Sequence, residues 1–448
     1  MQNKPLQIIT GYGITRREFL RLTSISAAGF LAGCAVNPVT GESQLMLVSE
    51  SQEIQIDKKH SPHQFSSDYG TLQDNSLNNY IDQTGKKMAA LTHRPNMPYS
   101  FLGVNATYVN AYAFPGGSIA ATRGILLALE NEAELAALLG HELGHVNARH
   151  TAEQMSKNVL TSALIDGVSV YAGTKSSGLG SLASQMGMVG AGALLASYSR
   201  DNEREADALG LKYMVKSGYN AKGFVGLMDM LMSMSKHKPN AIELMFATHP
   251  MSKERYRTAV KAVRKKYSSS ENKPLLRERY MDHTAKLRAI KGAIEAMQKG
   301  ESSMAKGKYG EAETHFTKAL ELAPSDYAGL VMMSKCQLVQ NKYAKAKRFA
   351  EKAKKVYPKE AQAYHLSGFA KIREENFDSA YQDFINYEKL LPGNPNTLFY
   401  KGYSLEGMKH IKISADEYYK YLQIVNQGKQ AQHAYQRLVE WGYIKPQK

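Results

Sequence analysis

The sequence predicts an α+β domain, mostly helical with a small sheet, followed by an all-α superhelix of repeats. Three observations carry that expectation. A β-branched and aromatic stretch at residues 99–129 precedes a run of alanine and leucine at helical spacing. In the last third, positions recur every 34 residues: Ala312, Ala346 and Ala380, then Pro324, Pro358 and Pro392. Between these textures lies a charged, serine-rich seam at 261–274. At 448 residues and 43% hydrophobic content, the chain can fill two or three cores.

Residues 1–33 form an export signal. "TRREFLRLTSISAAGFLAGC" sets Arg16 and Arg17 before a short apolar run, and Leu22 to Gly33 falls short of the ~20 residues a membrane-spanning helix needs. The pattern resembles a bacterial twin-arginine signal fused to a lipoprotein box, which implies cleavage before Cys34 and lipidation of its sulfur. Only Cys34 and Cys336 occur, so no internal disulfide remains once Cys34 carries lipid. By resemblance to Gram-negative lipoproteins, Ala35 points to the periplasmic face of the outer membrane, with the inner membrane as the alternative.

Residues 34–272 make the first domain. A turn-rich tether, "AVNPVTGESQLMLVSE", leads into a polar helix around 49–60. Residues 99–129 read as two strands joined by a turn at Pro115, Gly116 and Gly117. The run "NEAELAALLGHELGHVNARHTAEQ" has acids in its first turn and helical spacing, which puts His141 to His150 on or near the end of a long helix. Residues 159–197 are two apolar halves broken by glycine and polar residues, read as a buried helical hairpin rather than a membrane one. In "ATHPMSKER", Thr248 or His249 caps a helix opened by Pro250.

A connecting helix, 273–292, leads to four repeats at 293–428 and a capping helix and tail at 429–448. Phe316, Ala350 and Phe384 share the 34-residue phase, Gly368 and Gly402 continue it, and Ser414 and Tyr418 carry it into a fourth unit. This is the tetratricopeptide period, with small residues where paired helices touch and proline ending the second helix. The formal charge is +16, of which +10 falls in residues 271–448. No aromatic-plus-basic motif accompanies it, so nucleic acid is excluded as a partner. Lys342, Lys345, Lys347, Arg348, Lys352, Lys354 and Lys355 read as a solvated helix face, with acidic lipids or acidic protein surfaces as the alternative. Cys336 is a small buried residue, while His93 and His410 belong to loops or the surface.

The chemistry centres on "HELGH". Residues i and i+4 share a helical face, so His141 and His145 can present neutral imidazoles to one Zn2+ ion. Glu142, offset by about 100°, sits beside the metal's open position, where it can take a proton from the attacking water and deliver it to a leaving amine. His150 follows His141 by nine positions, not ten, and Ala148 stands where a metzincin needs glycine, so His150 is set aside as a ligand. Downstream, Glu203, Asp207, Gly210 and Met214 form one helical stripe. Glu203 would bind the metal, and Asp207 would accept a hydrogen bond from a ligand histidine, with His141 the expected donor.

"GHELGHVNARH", "SRDNEREADALG" and "ATHP" together resemble the peptidase family of the CAAX prenyl proteases and HtpX, a gluzincin group. They are most similar to its periplasmic branch with C-terminal tetratricopeptide repeats, the BepA-like chaperone-proteases. The resemblance implies a thermolysin-like zincin fold, one zinc per chain held by His141, His145 and Glu203, Glu142 as general base, and Asp207 beyond the ligands. It implies that "NAYAFPGG" supplies an edge strand, Asn110, Ala111, Tyr112 and Ala113, to which an extended substrate could add. It also matches His249 to a histidine that can close the zinc's open position, and Arg255 to an arginine near the site; Arg255 reads equally as a solvated helix charge.

The expected function is a membrane-anchored zinc endopeptidase of the bacterial envelope, cutting misfolded or stalled outer-membrane and periplasmic proteins recruited through the concave groove of the repeats. Outer-membrane assembly machinery is an expected partner, reached from the periplasm through the lipid anchor. The alternative is a chaperone or assembly adaptor with latent proteolysis. An intramembrane prenyl-protein protease requires spans this chain lacks.

Overall fold

The computed structural model describes residues 34–164, 198–237 and 239–446. The export signal and most of the glycine-rich hairpin lie outside the described residues. Among those described, no helix is long and apolar enough to cross a membrane.

A two-stranded ribbon, β1 (Cys34–Val36) and β2 (Ser43–Leu45), precedes α1 (Glu50–Ser67). Ser49 and Gln52 form a reciprocal capping box that fixes where α1 begins. Next comes α2 (Asn75–Ala89), started by Asp74, whose Leu77, Tyr80, Ile81 and Met88 are buried at helical spacing. The sheet has three strands where the sequence reading gave two. They are β3 (Ser100–Val104), β4 (Ala111–Ala113) and β5 (Ser118–Thr122), in the order β3-β5-β4, with β3 parallel and β4 antiparallel to β5. Residues 115–117 do form the turn between β4 and β5, and Gly117 takes φ +106, a backbone that glycine adopts without strain. After Thr122 the chain turns helical as α3 (Arg123–Ala128), because the Thr122 hydroxyl caps it by accepting from the Ile125 amide.

The buried core helix is α4 (Glu132–Asn147), capped by Asn131. It ends before His150. Arg149 takes the left-handed φ of +60, and His150 opens a separate helix, α5 (His150–Leu164). Beyond residue 197 come α6 (Arg200–Lys216), α7 (Lys222–His237), α8 (Pro239–Thr248) and α9 (Lys253–Lys266). Thr248 therefore closes α8, and Ser252, rather than Thr248 or His249, caps α9.

After α10 (Arg277–Ala289) the helices pair: α11 (Lys291–Ala305) with α12 (Tyr309–Leu322), α13 (Tyr327–Val339) with α14 (Tyr343–Val356), α15 (Gln362–Arg373) with α16 (Phe377–Leu390), and α17 (Pro395–Gly407) with α18 (Ile411–Leu422). A last helix, α19 (Lys429–Glu440), covers the end. The 34-residue period has a packing cause. Gly300, Gly368 and Gly402 face the rings of Phe316, Phe384 and Tyr418, leaving no room for a Cβ. Left-handed residues recur in the same phase at Gly307, Asn341, Glu375 and Lys409, ending the first helix of each pair. Pro324, Pro358 and Pro392 each stand two residues past the end of a second helix.

The repeats are docked on the first domain. Lys335 on α13 lies over the Tyr69 ring at 4.6 Å, the Tyr69 hydroxyl donates to Glu301 at 3.0 Å, and Gln362 donates to the Ser66 carbonyl at 2.6 Å. Gly70 packs so tightly on Tyr357 and Glu360 that a Cβ would clash. Burial raises the carboxyls of Asp68, Glu301 and Glu360 and pushes the Lys335 ammonium down to about 8. The first helices of repeats one to three therefore face the peptide stretch 66–73. Lys342, just before α14, and Lys347 and Lys354 on it pair with Glu313, Glu374 and Asp383, whereas Lys345, Arg348, Lys352 and Lys355 are exposed. Cys336 is fully buried, and burial pushes its thiol up to about 11.

A second tie is the ion pair between Arg123 and Asp326, 2.5 Å apart with both side chains nearly dry at 3% and 7% exposure. Burial would raise the Asp326 carboxyl, but Arg123 outweighs it and holds the group below its usual range. Asp326→Asn keeps the helix cap on Gly329 and leaves Arg123 buried without a counter-charge. It should cost about 3–5 kcal/mol in denaturant unfolding at neutral pH. A depressed carboxyl stabilises above its unfolded pKa and loses that contribution as pH falls through the folded value. The gap between wild type and variant should therefore narrow below about pH 4, the ordinary aspartate value.

Candidate metal centre

Every residue of α4 is buried, at 7% exposure or less. Its glycines set how closely α6 can approach. A Cβ on Gly140 would come within 2.9 Å of the Gly210 carbonyl, and one on Gly144 within 2.7 Å of the Ala206 carbonyl. This backbone-to-backbone crossing brings the acidic stripe of α6 against the histidine face of α4. Gly210 of the predicted stripe thus serves the crossing itself.

At the crossing, His141 Nε2 and His145 Nε2 are 3.1 Å apart, His141 Nε2 is 3.6 Å from Glu203 Oε2, and His145 Nε2 is 3.3 Å from Glu203 Oε1. His249, just past α8, adds Nδ1 at 3.3 Å from His141 Nε2 and 3.1 Å from Glu203 Oε1. The ligand atoms of these four residues all lie within 4.8 Å of one another. Tetrahedral zinc with bonds near 2 Å separates its donors by about 3.3 Å. The spacing and the nitrogen and oxygen donors therefore fit a zinc-sized cation.

Around this quartet the ligand side chains are held from behind. His141 Nδ1 is 3.0 Å from Asp207 Oδ1, as the stripe predicts. Asp207 is clamped by Arg255, whose Nε and Nη2 each donate at 2.7 Å, while Arg255 Nη1 lies 2.5 Å from Glu203 Oε2 and donates to the Pro250 carbonyl at 2.9 Å. Arg255 is thus a buried part of the site and not a solvated helix charge. Tyr198 stacks on the His145 ring, with centroids 3.8 Å apart and planes at 19°, and its hydroxyl meets Thr151 at 2.9 Å.

Glu142 is wholly buried, and neither carboxylate oxygen has a hydrogen-bond partner among the described residues. His249 Nε2 lies 3.8 Å from Glu142 Oε1. Burial raises the Glu142 carboxyl and holds the His145 imidazole well below its usual value. Burial would also raise Glu203, but His249, His145 and His141 outweigh it and keep it ionised. For His249, burial lowers the pKa, yet Glu142 and Glu203 outweigh that and raise it. A small apolar pocket lined by Leu138, Phe224, Met228 and Met245 opens beside His141 and His249.

Of the proposed edge strand, Ala111, Tyr112 and Ala113 form β4, at the edge of the sheet, and Asn110 precedes it. All four are buried; the Asn110 side-chain amide has no hydrogen-bond partner among the described residues, and Tyr112 donates to Asp68 at 2.5 Å. Cys34 lies in β1, remote in sequence from these groups. The sequence reading did not single out Tyr198 or Glu205, and it left His150 as a helix-end residue. The three histidines in ten positions were the only available signal for His150.

A helix-borne His-Glu-x-x-His pair joined by a glutamate from a second, closely crossed helix defines a metallopeptidase-type site. Comparison with known proteins agrees: residues 75–263 match Peptidase family M48, and residues 303–368 match the tetratricopeptide repeat. Residues 75–263 thus form an M48 peptidase domain, and tetratricopeptide repeats follow it. The chain is 30% identical over 188 residues to the beta-barrel assembly-enhancing protease of Yersinia pestis, covering 40% of this chain and 37% of that protein. It is 26% identical over 237 residues to the Escherichia coli K12 protein of the same name, covering 51% and 47% respectively. To the E. coli K12 metalloprotease YcaL it is 34% identical over 176 residues, covering 38% of this chain and 66% of that one. The matches span less than half the length of the two assembly-enhancing proteases.

The crossing yields a direct test. A methyl group at Gly210 would fall 2.7 Å from the His141 backbone nitrogen. Gly210→Ala should therefore destabilise the metal-free protein by about 1–3 kcal/mol in denaturant unfolding, as overpacking does elsewhere. Gly218, with open space around its Cβ position, is a poor control because its φ is +86; Gly310, with open space and ordinary φ, is the proper one.

Proposed function

We propose that this chain is a zinc-dependent endopeptidase of the bacterial envelope, anchored by lipid at Cys34, that hydrolyses misfolded or stalled outer-membrane and periplasmic proteins. The observation that carries the reading is the convergence of His141, His145 and Glu203 beside a buried, unpartnered Glu142. His141, His145 and Glu203 would hold one zinc ion, which when bound supplies Lewis acidity toward the scissile carbonyl and the attacking water. Glu142 takes the water's proton and passes it to the leaving amine, a role suited to a carboxyl raised by burial. Asp207 keeps the His141 Nδ1 proton in place, and Arg255 holds Asp207. β4 offers its edge to an extended substrate, and the pocket beside His141 accepts an apolar side chain.

The second reading is a chaperone or assembly adaptor with latent proteolysis, and His249 favours it as the resting state. Its Nδ1 lies at ligand distance from both His141 and Glu203, where a fourth donor would compete with water. The relatives named for enhancing beta-barrel assembly agree with work at the outer membrane, with assembly machinery among the partners.

Purified, signal-free protein should contain one zinc per chain and degrade an unfolded substrate such as reduced casein. Glu142→Gln should keep the zinc and lose about 100- to 10,000-fold in kcat, the usual worth of a general base. His249→Ala should keep the zinc and cut several times faster than wild type. A zinc-loaded His249→Ala that leaves casein intact would overturn the protease reading in favour of the chaperone; wild type without bound metal would overturn both.

A further inference from the structure

His150 is excluded from the ligand quartet, yet it touches it. The left-handed turn at Arg149 breaks the helix after Ala148, and the ring that opens α5 folds back onto α4. His150 Nδ1 then lies 2.9 Å from His145 Nδ1, and His150 Nε2 lies 3.1 Å from Glu205 Oε2. His145 and His150 are 1% and 2% exposed. Glu205 is partly exposed and lies two positions from both Glu203 and Asp207 of the inward stripe.

The order of protons along this chain follows from counting donors. His145 directs Nε2 at His141 and Glu203, so a lone pair is available for metal only when its proton sits on Nδ1. That N–H points at His150 Nδ1, which must then accept. The His150 proton is left on Nε2, facing the Glu205 carboxylate, which accepts it. Every group in this order has a partner. The reverse order of two neutral rings sets the bare His150 Nε2 against a carboxylate oxygen, acceptor against acceptor, and turns an N–H into the ligand cluster.

We infer that His150 and Glu205 are positioning residues for the metal centre: Glu205 fixes the tautomer of His150, and His150 fixes the tautomer and direction of His145. The inference rests on the zinc-site reading above. It gives each ligand histidine its own support, a carboxylate directly on His141 and an imidazole-linked carboxylate on His145. Tyr198 sets the plane of the same ring by stacking, and His150 sets which ring edge faces the cluster. A ring stacked on one face alone could still flip about Cβ–Cγ and withdraw Nε2.

The test is zinc affinity, measured by chelator competition on full-length, signal-free protein, together with 15N NMR of histidine-labelled wild type. His150→Phe keeps the ring volume and removes the acceptor; it should weaken zinc binding about 10- to 100-fold, the usual effect of losing a partner behind a ligand. His150→Asn, whose amide oxygen can accept, should recover part of that loss. Glu205→Leu, at a partly exposed position that tolerates change, should weaken zinc binding in the same direction but less, while Glu205→Gln, which still accepts from Nε2, should stay near wild type. NMR should report His145 protonated at Nδ1 and His150 at Nε2 in the zinc form. Equal zinc affinity in wild type, His150→Phe and Glu205→Leu would overturn the relay and leave the zinc site standing, as would the opposite tautomer of His150. Wild type that binds no zinc would overturn the site and the relay together.

Discussion

The site depends on one close contact, the crossing of α4 and α6 through Gly140, Gly144, Ala206 and Gly210. Carboxylate and imidazole side chains reach only a few ångströms from their helices, so donors from two helices converge only if the backbones nearly touch. Small residues at the crossing allow that approach. The same residues explain why α4 carries glycine twice in its buried middle, although glycine lowers helix stability by about 1 kcal/mol relative to alanine. The loss in local stability is offset by tertiary packing against the sheet, α6 and α7.

Bringing those donors together buries several ionisable groups in a small volume. Glu203 and Glu142 sit at no measurable exposure, and among the described residues Arg255 is the guanidinium in contact with Glu203. Isolated buried carboxylates are costly, and the usual outcomes are protonation, pairing or a metal. Glu203 has Arg255 and three imidazoles and stays ionised; Glu142 has none of these within hydrogen-bond reach and is pushed toward its neutral form. Surroundings alone thereby push two glutamates on neighbouring elements in opposite directions, one held ionised and one toward its neutral form.

What could be read from the sequence was whatever a short-range rule decides. The histidine pair is visible because i and i+4 share a helical face, and the repeats because glycine and aromatic partners recur in one phase. Glu203 and Asp207 were visible as charges on an otherwise inward stripe. The third strand was missed because β3 pairs in parallel with β5, a pairing that no hairpin turn announces. His150 is legible only as lying on or near the end of a helix, because nothing in "VNARH" declares that Arg149 will take a positive φ, a conformation uncommon for a residue with a side chain. Glu205 and Tyr198 depend on that break and on the α4–α6 crossing, so neither could be singled out before the fold was known.

The docking of the repeats bears on how a substrate could reach the centre. The first helices of repeats one to three face residues 66–73 of the first domain, tied by Glu301, Lys335, Glu360 and Gln362. A peptide cannot lie across that part of the groove without displacing Tyr69 and its hydrogen-bond partner Glu301. Among the described residues the far end, α17 to α19, exposes Ile413, Tyr419, Ile424 and Tyr443, and α14 exposes a basic face. Recruitment at the first helices of repeats one to three would have to displace this contact. Because α1 is tied to the repeats through Ser66 at its C-terminal end and to Arg94 and Arg149 beside α4 through Glu53 at its other end, a partner that pried the repeats away would pull on the helix that braces the metal centre.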